Sequence, residues 1–356
     1  MVTVAVDAGG ADLGPREVAA GAAQAAAQGI RVLLFGPAGE IGVPPSGVEV
    51  VDAPVSIAKQ ADPAHAVRST PEASIVQATR AVAERRADAF VTGGSTGSAL
   101  AAALFHLRRD RGVYRPALAL PLPNPGGPPI LLLDVGANVT CRPEHLVQFA
   151  HMGSAFAQAV LGIDAPRVAL LSNGEEAGKG TPELVSVHEQ LAGSRGAGLN
   201  FVGNIEGTQV VEGAADVVVM DGFTGNITLK LIEGVSSRAM RLVTEYSEAT
   251  IRGRLANRLI APTMNHLRQT IDPEGPGGAY MLGLRQLGVV AHGRFSARGF
   301  AHAIEVAAHG VQQDVIGRTR AALGQAGALR SVPERSGSIS ERAGAASGAT
   351  ATVSAP

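Results

Sequence analysis

The stretch Ala215–Lys230 reads ADVVVMDGFTGNITLK and joins an apolar run, a polar turn and the first residues of a helical pattern. The run Val217–Met220 is short and apolar throughout, which indicates a strand buried on both faces, as in a parallel sheet. The turn Asp221–Asn226 contains two glycines and enters a helix near Thr224. The stretch therefore predicts a strand–turn–helix unit, the building block of an α/β fold.

Comparable units recur along the rest of the chain. Six more apolar runs are predicted as strands: Val2–Val6, Val32–Phe35, Ala89–Thr92, Ile130–Leu133, Val168–Leu171 and Leu199–Val202. Pro and Thr both favour the N-terminus of a helix. Helices are therefore predicted to begin near Pro15, Pro71, Thr96, Pro143, Thr181 and Thr224. This alternation predicts a three-layer α/β/α fold with a mostly parallel sheet.

The sequence predicts one α/β domain over residues 1–330. The apolar residues between Leu229 and Leu267 are spaced as in a helical pair that also carries six arginines, so residues 229–270 are predicted to protrude as a basic amphipathic hairpin. Such a hairpin suits contact with an anionic membrane surface, and packing within a dimer is the alternative that we favour. Residues 331–356 contain mainly Ser, Gly, Ala, Pro and scattered charges, which predicts a disordered tail.

Composition excludes several classes of function. The 30 Lys and Arg residues nearly balance the 31 Asp and Glu residues, which removes an electrostatic basis for binding nucleic acid. A single cysteine, Cys141, excludes an internal disulfide framework and favours a reducing compartment. The first residues lack the pattern of a secretory signal, and glycines and prolines interrupt the two long uncharged stretches. We therefore expect a soluble, cytoplasmic protein in which any membrane contact is peripheral.

Two glycine-rich turns follow predicted strands and enter helices. Gly93–Gly97 follows Ala89–Thr92, and Asp221–Asn226 follows Val217–Met220. Glycine lets the backbone approach a ligand, and free N–H groups at a helix N-terminus attract an anion. Because ligands of parallel sheets bind at the carboxyl ends of the strands, the two turns together indicate a phosphate or acyl-phosphate pocket at that edge. For either turn alone, a capped turn that is tightly packed for structural reasons is the favoured alternative.

Polar side chains at other strand ends suit the same pocket. Asp7 follows the first strand, where it can orient a substrate or a lysine, and Asp134 and Asn138 follow another, although both residue types also make turns. Glycines flank Lys179 on both sides, so its side chain is free to reach a phosphate or an oxyanion. The alternative is that it is an ordinary exposed lysine. His292 can exchange a proton near neutral pH. No nucleotide-binding motif and no metal-ligand spacing accompanies these residues.

Five segments carry a more specific signal: Val4–Ala8 (VAVDA), Leu131–Val139 (LLLDVGANV), Arg142–Phe149 (RPEHLVQF) with Met152 and Gly153, Phe201–Glu206 (FVGNIE) and Ala215–Lys230. Together they closely resemble the bacterial PlsX-type phosphate acyltransferases. The resemblance extends from about residue 2 to about residue 317 and leaves out little but the tail.

The resemblance implies an enzyme that transfers a fatty acyl group from acyl carrier protein to inorganic phosphate and so forms acyl phosphate for phosphatidic acid and phospholipid synthesis. It also implies the fold of the isocitrate and isopropylmalate dehydrogenases, a homodimer, no cofactor or metal, and a downstream glycerol-phosphate acyltransferase. The implied catalytic residues are Lys179, Asp221, Asn226 and His292. The implied phosphate- and substrate-binding residues are Asp7, Arg68, Gly94, Ser95, Thr96, Gly97, Asp134, Asn138, Gly222, Phe223, Thr224 and Gly225.

The chain departs from the family pattern in three places. In the first loop, Gly9, Ala11 and Leu13 replace Met, Gly and His. Ser95 replaces an Asn, and Arg68 alone remains of a basic cluster that would dock acidic acyl carrier protein or bind phosphate. These departures leave two alternatives open: a phosphate acetyl- or butyryltransferase that uses coenzyme A, and a degraded, non-catalytic scaffold for lipid-synthesis enzymes.

Phosphate is already a nucleophile, so catalysis consists of holding it against the thioester, stabilising the oxyanion and assisting the departing thiolate. We hypothesise that amides of Gly94–Gly97 and Gly222–Gly225 bind phosphate and that Lys179 neutralises its charge. His292 would stabilise the oxyanion or protonate the sulfur, and the other two implied catalytic residues would orient the phosphate.

Overall fold

The predicted strands lie in one mixed sheet with helices on both faces. A computed structural model of the chain describes residues 1–43, 46–193, 198–270, 272 and 274–330. The tail predicted for residues 331–356 lies outside the described residues. The described part contains eleven strands, and all of them belong to the same sheet.

Strands and helices alternate along much of the described chain, although two pairs of strands and three pairs of helices follow one another directly. The strands are β1 (Thr3–Asp7), β2 (Arg31–Gly36), β3 (Val48–Asp52), β4 (Ala89–Thr92), β5 (Ala117–Leu122), β6 (Ile130–Leu133), β7 (Arg167–Leu171), β8 (Asn200–Ile205), β9 (Val217–Val219), β10 (Ala279–Leu282) and β11 (Leu287–Val290). The helices are α1 (Pro15–Ala27), α2 (Ala38–Ile41), α3 (Pro63–Ser69), α4 (Ser74–Ala83), α5 (Thr96–His106), α6 (Pro143–Val160), α7 (Pro182–Gly193), α8 (Gly207–Glu212), α9 (Gly222–Glu248), α10 (Ile251–Thr270), α11 (Ala297–Gln312) and α12 (Val315–Gln325). The strand order is β3-β2-β1-β4-β11-β10-β5-β6-β9-β7-β8.

The predicted α/β class and mostly parallel sheet are confirmed, and all seven predicted strands are present. Four of the described strands are not among the seven predicted runs: β3, an edge strand that contains Glu49, β5, which contains Pro121, and the neighbouring pair β10 and β11. The helix predicted near Pro71 begins at Ser74, because Ala73 first pairs with a residue of the preceding loop.

Two strands in the middle of the sheet reverse its direction. β10 is antiparallel to β11 and to β5, and β5 is antiparallel to β6. The carboxyl ends of β1, β4 and β11 therefore point to one edge, which we call the Asp7 edge. Those of β6, β9 and β7 point to the opposite edge, which we call the Asp134 edge. The expectation that all strand-end motifs meet at one edge is wrong, because this fold joins two parallel halves of opposite direction.

Alternate residues of the central strands pack on opposite faces of the sheet. Leu131 and Leu133 of β6 belong to a core on the face of α6, and Leu132 belongs to the core on the face of α9, which also contains Leu229. All four residues of β6 are buried, as predicted for a strand covered on both faces.

Helix α9 connects the two edges. It begins after β9 at the Asp134 edge, where a Cβ on Gly225 would lie only 1.9 Å from the carbonyl oxygen of Asp134. After α10 the chain enters β10, whose first residue Ala279 pairs with Val290 at the Asp7 edge. Since α9 has 27 residues and is about 40 Å long, it crosses one face of the sheet and continues beyond it.

The outer parts of α9 and α10 lie at the surface. The buried residues of α9 are Gly222, Gly225 and Leu229, all in its first two turns, and α10 contributes none among its described side chains. Within the described ranges, no helix combines the length and the apolar character that a membrane span requires.

We predict that Gly225→Ala lowers the free energy of unfolding by about 3 kcal/mol, because the new methyl group would overlap the Asp134 carbonyl and push α9 off its turn. Gly234→Ala in the same helix is the matched control, since its Cβ would meet no atom within 4 Å. It should stabilise the protein by about 0.5–1 kcal/mol through helix propensity. Urea unfolding of both variants provides the measurement, and equal stability of the two would contradict the packing argument.

Candidate active site

Hydrogen bonds tie the first loop to the glycine-rich turn at the Asp7 edge. Asp7 is 2% exposed, and its Oδ2 accepts the hydroxyl of Thr92 at 2.7 Å. The Thr92 hydroxyl oxygen in turn accepts the N–H of Gly94 at 3.0 Å. A Cβ on Gly10 would lie 2.4 Å from the Cα of Gly94, so the two loops pack backbone to backbone. Asp7 therefore helps to hold in place the turn that begins α5.

The turn that begins α5 has the properties of an anion site. Ser95 is the N-cap, and its hydroxyl oxygen accepts the N–H of Ser98 at 3.2 Å. Thr96 and Gly97 open the helix, in the turn where amides have no intrahelical acceptor. These N–H groups and the positive end of the helix dipole point the same way, which favours a phosphate at this place.

His292 follows β11 at the same edge. The N–H of Asp12 donates to the carbonyl of Gly293 at 2.7 Å, which joins the His292 loop to the first loop. The N–H of Arg294 lies 3.2 Å from His292 Nδ1, so we assign the proton of the neutral imidazole to Nε2. Desolvation lowers the pKa of His292, and the nearby ammonium of Lys230 lowers it further. The imidazole is therefore neutral at neutral pH and can donate from Nε2.

At the opposite edge, Asp134 organises a turn of its own. Its side chain is fully buried, and its two oxygens accept five hydrogen bonds, of 2.8 to 3.0 Å, from Leu118, Gly136, Ala137 and, twice, Asn138. Burial raises the pKa of Asp134, and these donors oppose the rise. Both oxygens have partners within the protein, so Asp134 and Asn138 shape the turn on which α9 starts.

Three of the four amides from Gly222 to Gly225 already have acceptors. The N–H of Gly222 donates to the carbonyl of Asn138 at 2.7 Å, and the N–H of Thr224 donates to the capping carboxylate of Asp221 at 2.9 Å. The N–H of Gly225 donates to the Asp221 carbonyl at 2.9 Å. The hypothesis that these amides bind phosphate is therefore corrected: they hold the helix on the Asp134 turn.

Helix α9 carries polar side chains from this turn to the groups of the Asp7 edge. Asn226 and Lys230, one turn apart, line a cavity of about 1000 Å³ together with Thr96 and His292. Lys230 is held by Glu233, whose Oε2 lies 2.7 Å from the ammonium nitrogen. The cavity thus joins an anion-binding helix terminus, an amide and a lysine of α9, and a neutral imidazole, from three distant parts of the chain. Arg241 and Arg268 also line it.

Of the predicted site residues, only Thr96, Asn226 and His292 line the cavity, and three of the others have no part in the hydrogen bonds described above. Lys179 is exposed in the loop after β7, and Arg68 is exposed in the last turn of α3; neither lines the cavity. Phe223 is 58% exposed and does not line the cavity. Sequence reasoning missed Lys230, although its spacing of four residues from Asn226 on a helix places both on one side.

Cys141 lies beside the Asp134 turn but is not suited to nucleophilic chemistry. Burial raises the pKa of its thiol to about 12, and the carboxylates of Asp134 and Asp221 act in the same direction. The reactive thiolate is therefore scarce at neutral pH.

Solved structures with the same fold share little sequence with the chain. A phosphotransacetylase from Streptococcus pyogenes has a TM-score of 0.57 at 16% identity, over 87% of this chain and 94% of that one. EutD phosphotransacetylase from Staphylococcus aureus has a TM-score of 0.53 at 17% identity, with the same coverage. A 4-hydroxythreonine-4-phosphate dehydrogenase from Klebsiella pneumoniae has a TM-score of 0.51 at 16% identity, over 87% and 99%. The protein thus has the α/β fold of the phosphotransacylases and of this dehydrogenase.

Sequence comparison identifies the family. The fatty acid synthesis protein family matches residues 2–318. A phosphate acyltransferase from Moorella thermoacetica is 42% identical over 320 residues, which cover 88% of this chain and 93% of the relative. One from Pelotomaculum thermopropionicum is 39% identical over 327 residues, which cover 90% and 94%. The chain belongs to the phosphate acyltransferase family, so the resemblance of the five segments and the assignment to the acyltransferases are confirmed.

We predict that Thr92→Val destabilises the protein by about 1–3 kcal/mol near neutral pH, because the buried Asp7 carboxylate loses a donor. Burial raises the pKa of Asp7 above its ordinary 3.8, and the Thr92 hydroxyl favours the ionised form. Losing this donor raises the folded-state pKa of Asp7 further and penalises its ionised form, whereas the loss of the acceptor of the Gly94 N–H costs the same at every pH. The loss of stability caused by Thr92→Val should therefore become smaller as the pH falls towards 3.8 and Asp7 becomes protonated. Denaturant unfolding of the variant and the wild type at several pH values measures this.

Thr79→Val is the matched control. Thr79 is also fully buried, but its hydroxyl contacts only the helix carbonyls of Ile75 and Val76, at 2.8 and 3.1 Å. Its loss should cost less than that of Thr92 and should be independent of pH. A deficit of Thr92→Val that is equally pH-independent would show that the hydroxyl does not support the charge of Asp7.

Proposed function

We propose that the protein transfers a fatty acyl group from acyl carrier protein to inorganic phosphate and so forms the acyl phosphate used for phosphatidic acid and phospholipid synthesis. The observation that carries the proposal is the single cavity in which Thr96, Asn226, Lys230 and His292 border a long apolar wall. A reaction that joins a phosphate to a fatty acyl group needs both surfaces in contact. Membership of the phosphate acyltransferase family supports the same reaction.

The phosphate would lie at the start of α5, where the Thr96 and Gly97 amides and the helix dipole attract it. Lys230 would balance its charge, and the Asn226 side chain would orient it. A phosphate oxygen then attacks the thioester carbon, the C–O bond forms and the C–S bond breaks. His292 Nε2–H would donate first to the oxyanion and then to the departing thiolate.

The other predicted site residues would act from around the cavity. Asp7 and Gly94–Ser95 would hold the phosphate turn, and Asp134 with Asn138 would hold the start of α9. Asp221, as the N-cap of α9, would set the position of Asn226 rather than contact phosphate directly. The exposed Arg68 would suit the acidic surface of acyl carrier protein.

The direct test is phosphate-dependent consumption of palmitoyl-acyl carrier protein, with coenzyme A thioesters assayed in parallel. We expect Lys230→Ala to lower kcat/KM by about a hundredfold or more, because it removes the cavity cation that lies close to His292. Arg238→Ala is the matched control, since it removes a cation from the same helix outside the cavity lining and should retain wild-type turnover. Lys179→Ala tests the second lysine: a loss like that of Lys230→Ala would keep it among the proposed catalytic residues.

Other outcomes would favour the alternatives. Turnover with coenzyme A thioesters alone would make the protein a phosphate acetyl- or butyryltransferase. Absence of any phosphate-dependent turnover by the folded wild type would favour the non-catalytic scaffold. Near-normal turnover of Lys230→Ala would place the phosphate elsewhere.

An exposed apolar stripe supports the proposal that the protein is a homodimer. Phe223, Ile227, Leu231 and Val235 follow one another at four-residue intervals along α9, and each is between 51% and 64% exposed. Leu255 and Leu259 of α10 are exposed as well. A contiguous patch of this kind marks an interaction surface. We propose that residues 229–270 protrude from the single domain as a helical pair and pack against a second copy.

We propose further that the enzyme is cytoplasmic and reaches the membrane peripherally. Arginines of α9 and α10, among them Arg241, Arg252 and Arg258, lie on the same helical pair as the stripe. They would suit an anionic lipid surface. Such contact would bring the acyl phosphate to a downstream glycerol-phosphate acyltransferase.

We predict that Leu231→Asp converts the dimer to a monomer, because it places a carboxylate in the middle of the stripe, and sedimentation equilibrium measures the mass. Val202→Asp is the control, since Val202 is an exposed apolar residue of β8 away from the stripe. A wild-type monomer, or a dimer that survives Leu231→Asp, would contradict this interface. Flotation with anionic vesicles, compared between the wild type and Ile260→Asp, then tests membrane contact.

A further inference from the structure

The proposed chemistry assigns roles to the polar groups of the cavity but does not place the acyl chain along its apolar wall. We call this part the β5–α9 slot, and its lining consists of Leu118, Leu120, Leu122, Ile130, Leu229 and Ile232. The three leucines alternate along β5, so they share the face of the sheet that α9 crosses. The residues of α9 form the opposite wall.

The slot lies over a central strand that is incompletely covered. Its neighbours β6 and β10 are buried at every residue, whereas Leu120 and Leu122 are only partly buried. Protein interiors are normally close-packed. Leu120 and Leu122 pack against the core on this face but remain incompletely covered in the middle of an eleven-stranded sheet, which indicates space for an apolar ligand.

The dimensions of the slot suit a long chain. At the usual rise of a strand, Leu118 and Leu122 are about 13 Å apart, and Pro123 and Pro125 extend the lining beyond them. The whole cavity, about 1000 Å³, lies at the upper end of the range of roughly 300–1,000 Å³ for small-molecule sites. An acetyl group would leave most of this space empty.

We infer that the β5–α9 slot holds the acyl chain of the donor, with its thioester beside Lys230 and His292, and that Leu120 and Ile232 set the accepted chain length from opposite walls. The inference rests on the proposed function, since it names the place of that reaction's acyl group. Each methylene that the slot buries contributes roughly a fourfold preference over a donor that lacks it. Long-chain donors are therefore favoured over short ones by successive small factors.

The test is the ratio of kcat/KM for palmitoyl- to butyryl-acyl carrier protein. Leu120→Phe and Ile232→Phe, which narrow the slot from opposite sides, should each lower this ratio at least tenfold. Val202→Phe, an enlargement of an exposed strand residue outside the cavity, should leave the ratio at its wild-type value. A general folding defect lowers both rates alike, so a ratio unchanged in both variants would overturn the inference.

Binding of a fatty acid separates this inference from the proposed function. The wild type should bind the fluorescent fatty acid cis-parinaric acid, and Leu120→Phe should weaken this binding at least tenfold. Binding by the wild type without phosphate-dependent turnover would retain the slot and refute the proposed reaction. Turnover without any binding of the probe, or equal binding by Leu120→Phe, would overturn the slot alone.

Discussion

The seating of α9 on the Asp134 turn is the constraint on which the rest of the site depends. A buried carboxylate is costly unless its oxygens are hydrogen-bonded, and Asp134 meets this condition through backbone amides and the side chain of Asn138, all within one turn. The turn consequently has one shape. Gly222 and Gly225 have no side chain to hold the helix away from it, so the start and the direction of α9 are both determined at this point.

The direction of α9 has consequences across the sheet, because the two halves of the sheet present their strand ends at opposite edges. A site that needs groups from both halves can be assembled only by an element that crosses between them. Helix α9 does this with Asn226 and Lys230, and its apolar residues cover the middle strands on the way. The polar groups at the Asp7 edge stay in place because Asp7, Thr92 and Gly94 are linked in one chain of hydrogen bonds. A preorganised set of donors next to an apolar space suits a reaction between an anion and a fatty acyl group.

Much of this arrangement could be predicted from the sequence. Apolar runs located the seven predicted strands, and the glycine-rich turns identified Thr96, Asn226 and His292 or their immediate neighbours. Lys230 was missed because the candidate residues were sought in loops at strand ends, whereas Lys230 lies inside a helix. Lys179 was favoured because glycines flank it. β5, which reverses the sheet and floors the cavity, was missed because Pro121 interrupts its apolar run. The departures at Gly9 and Ser95 fall in the loops of the Asp7 edge and suit their places there: a Cβ on Gly9 would lie 2.2 Å from Ser74 Oγ, and the Ser95 hydroxyl caps α5.

The sequence by itself determined the strand and helix segments, the family, and the turns in which glycine and capping residues concentrate, because these follow from local periodicity, backbone freedom and hydrogen bonding between near neighbours. The tertiary structure alone decided which of those turns share a cavity. Strand direction depends on pairings between residues far apart in the chain, such as Tyr280 with Ala119 and Leu133 with Ala119, and no local pattern records them. For the same reason the amides of Gly222 and Gly225, which the sequence presents as an anion site, hold a helix in place, while the amides of Thr96 and Gly97 remain for the anion.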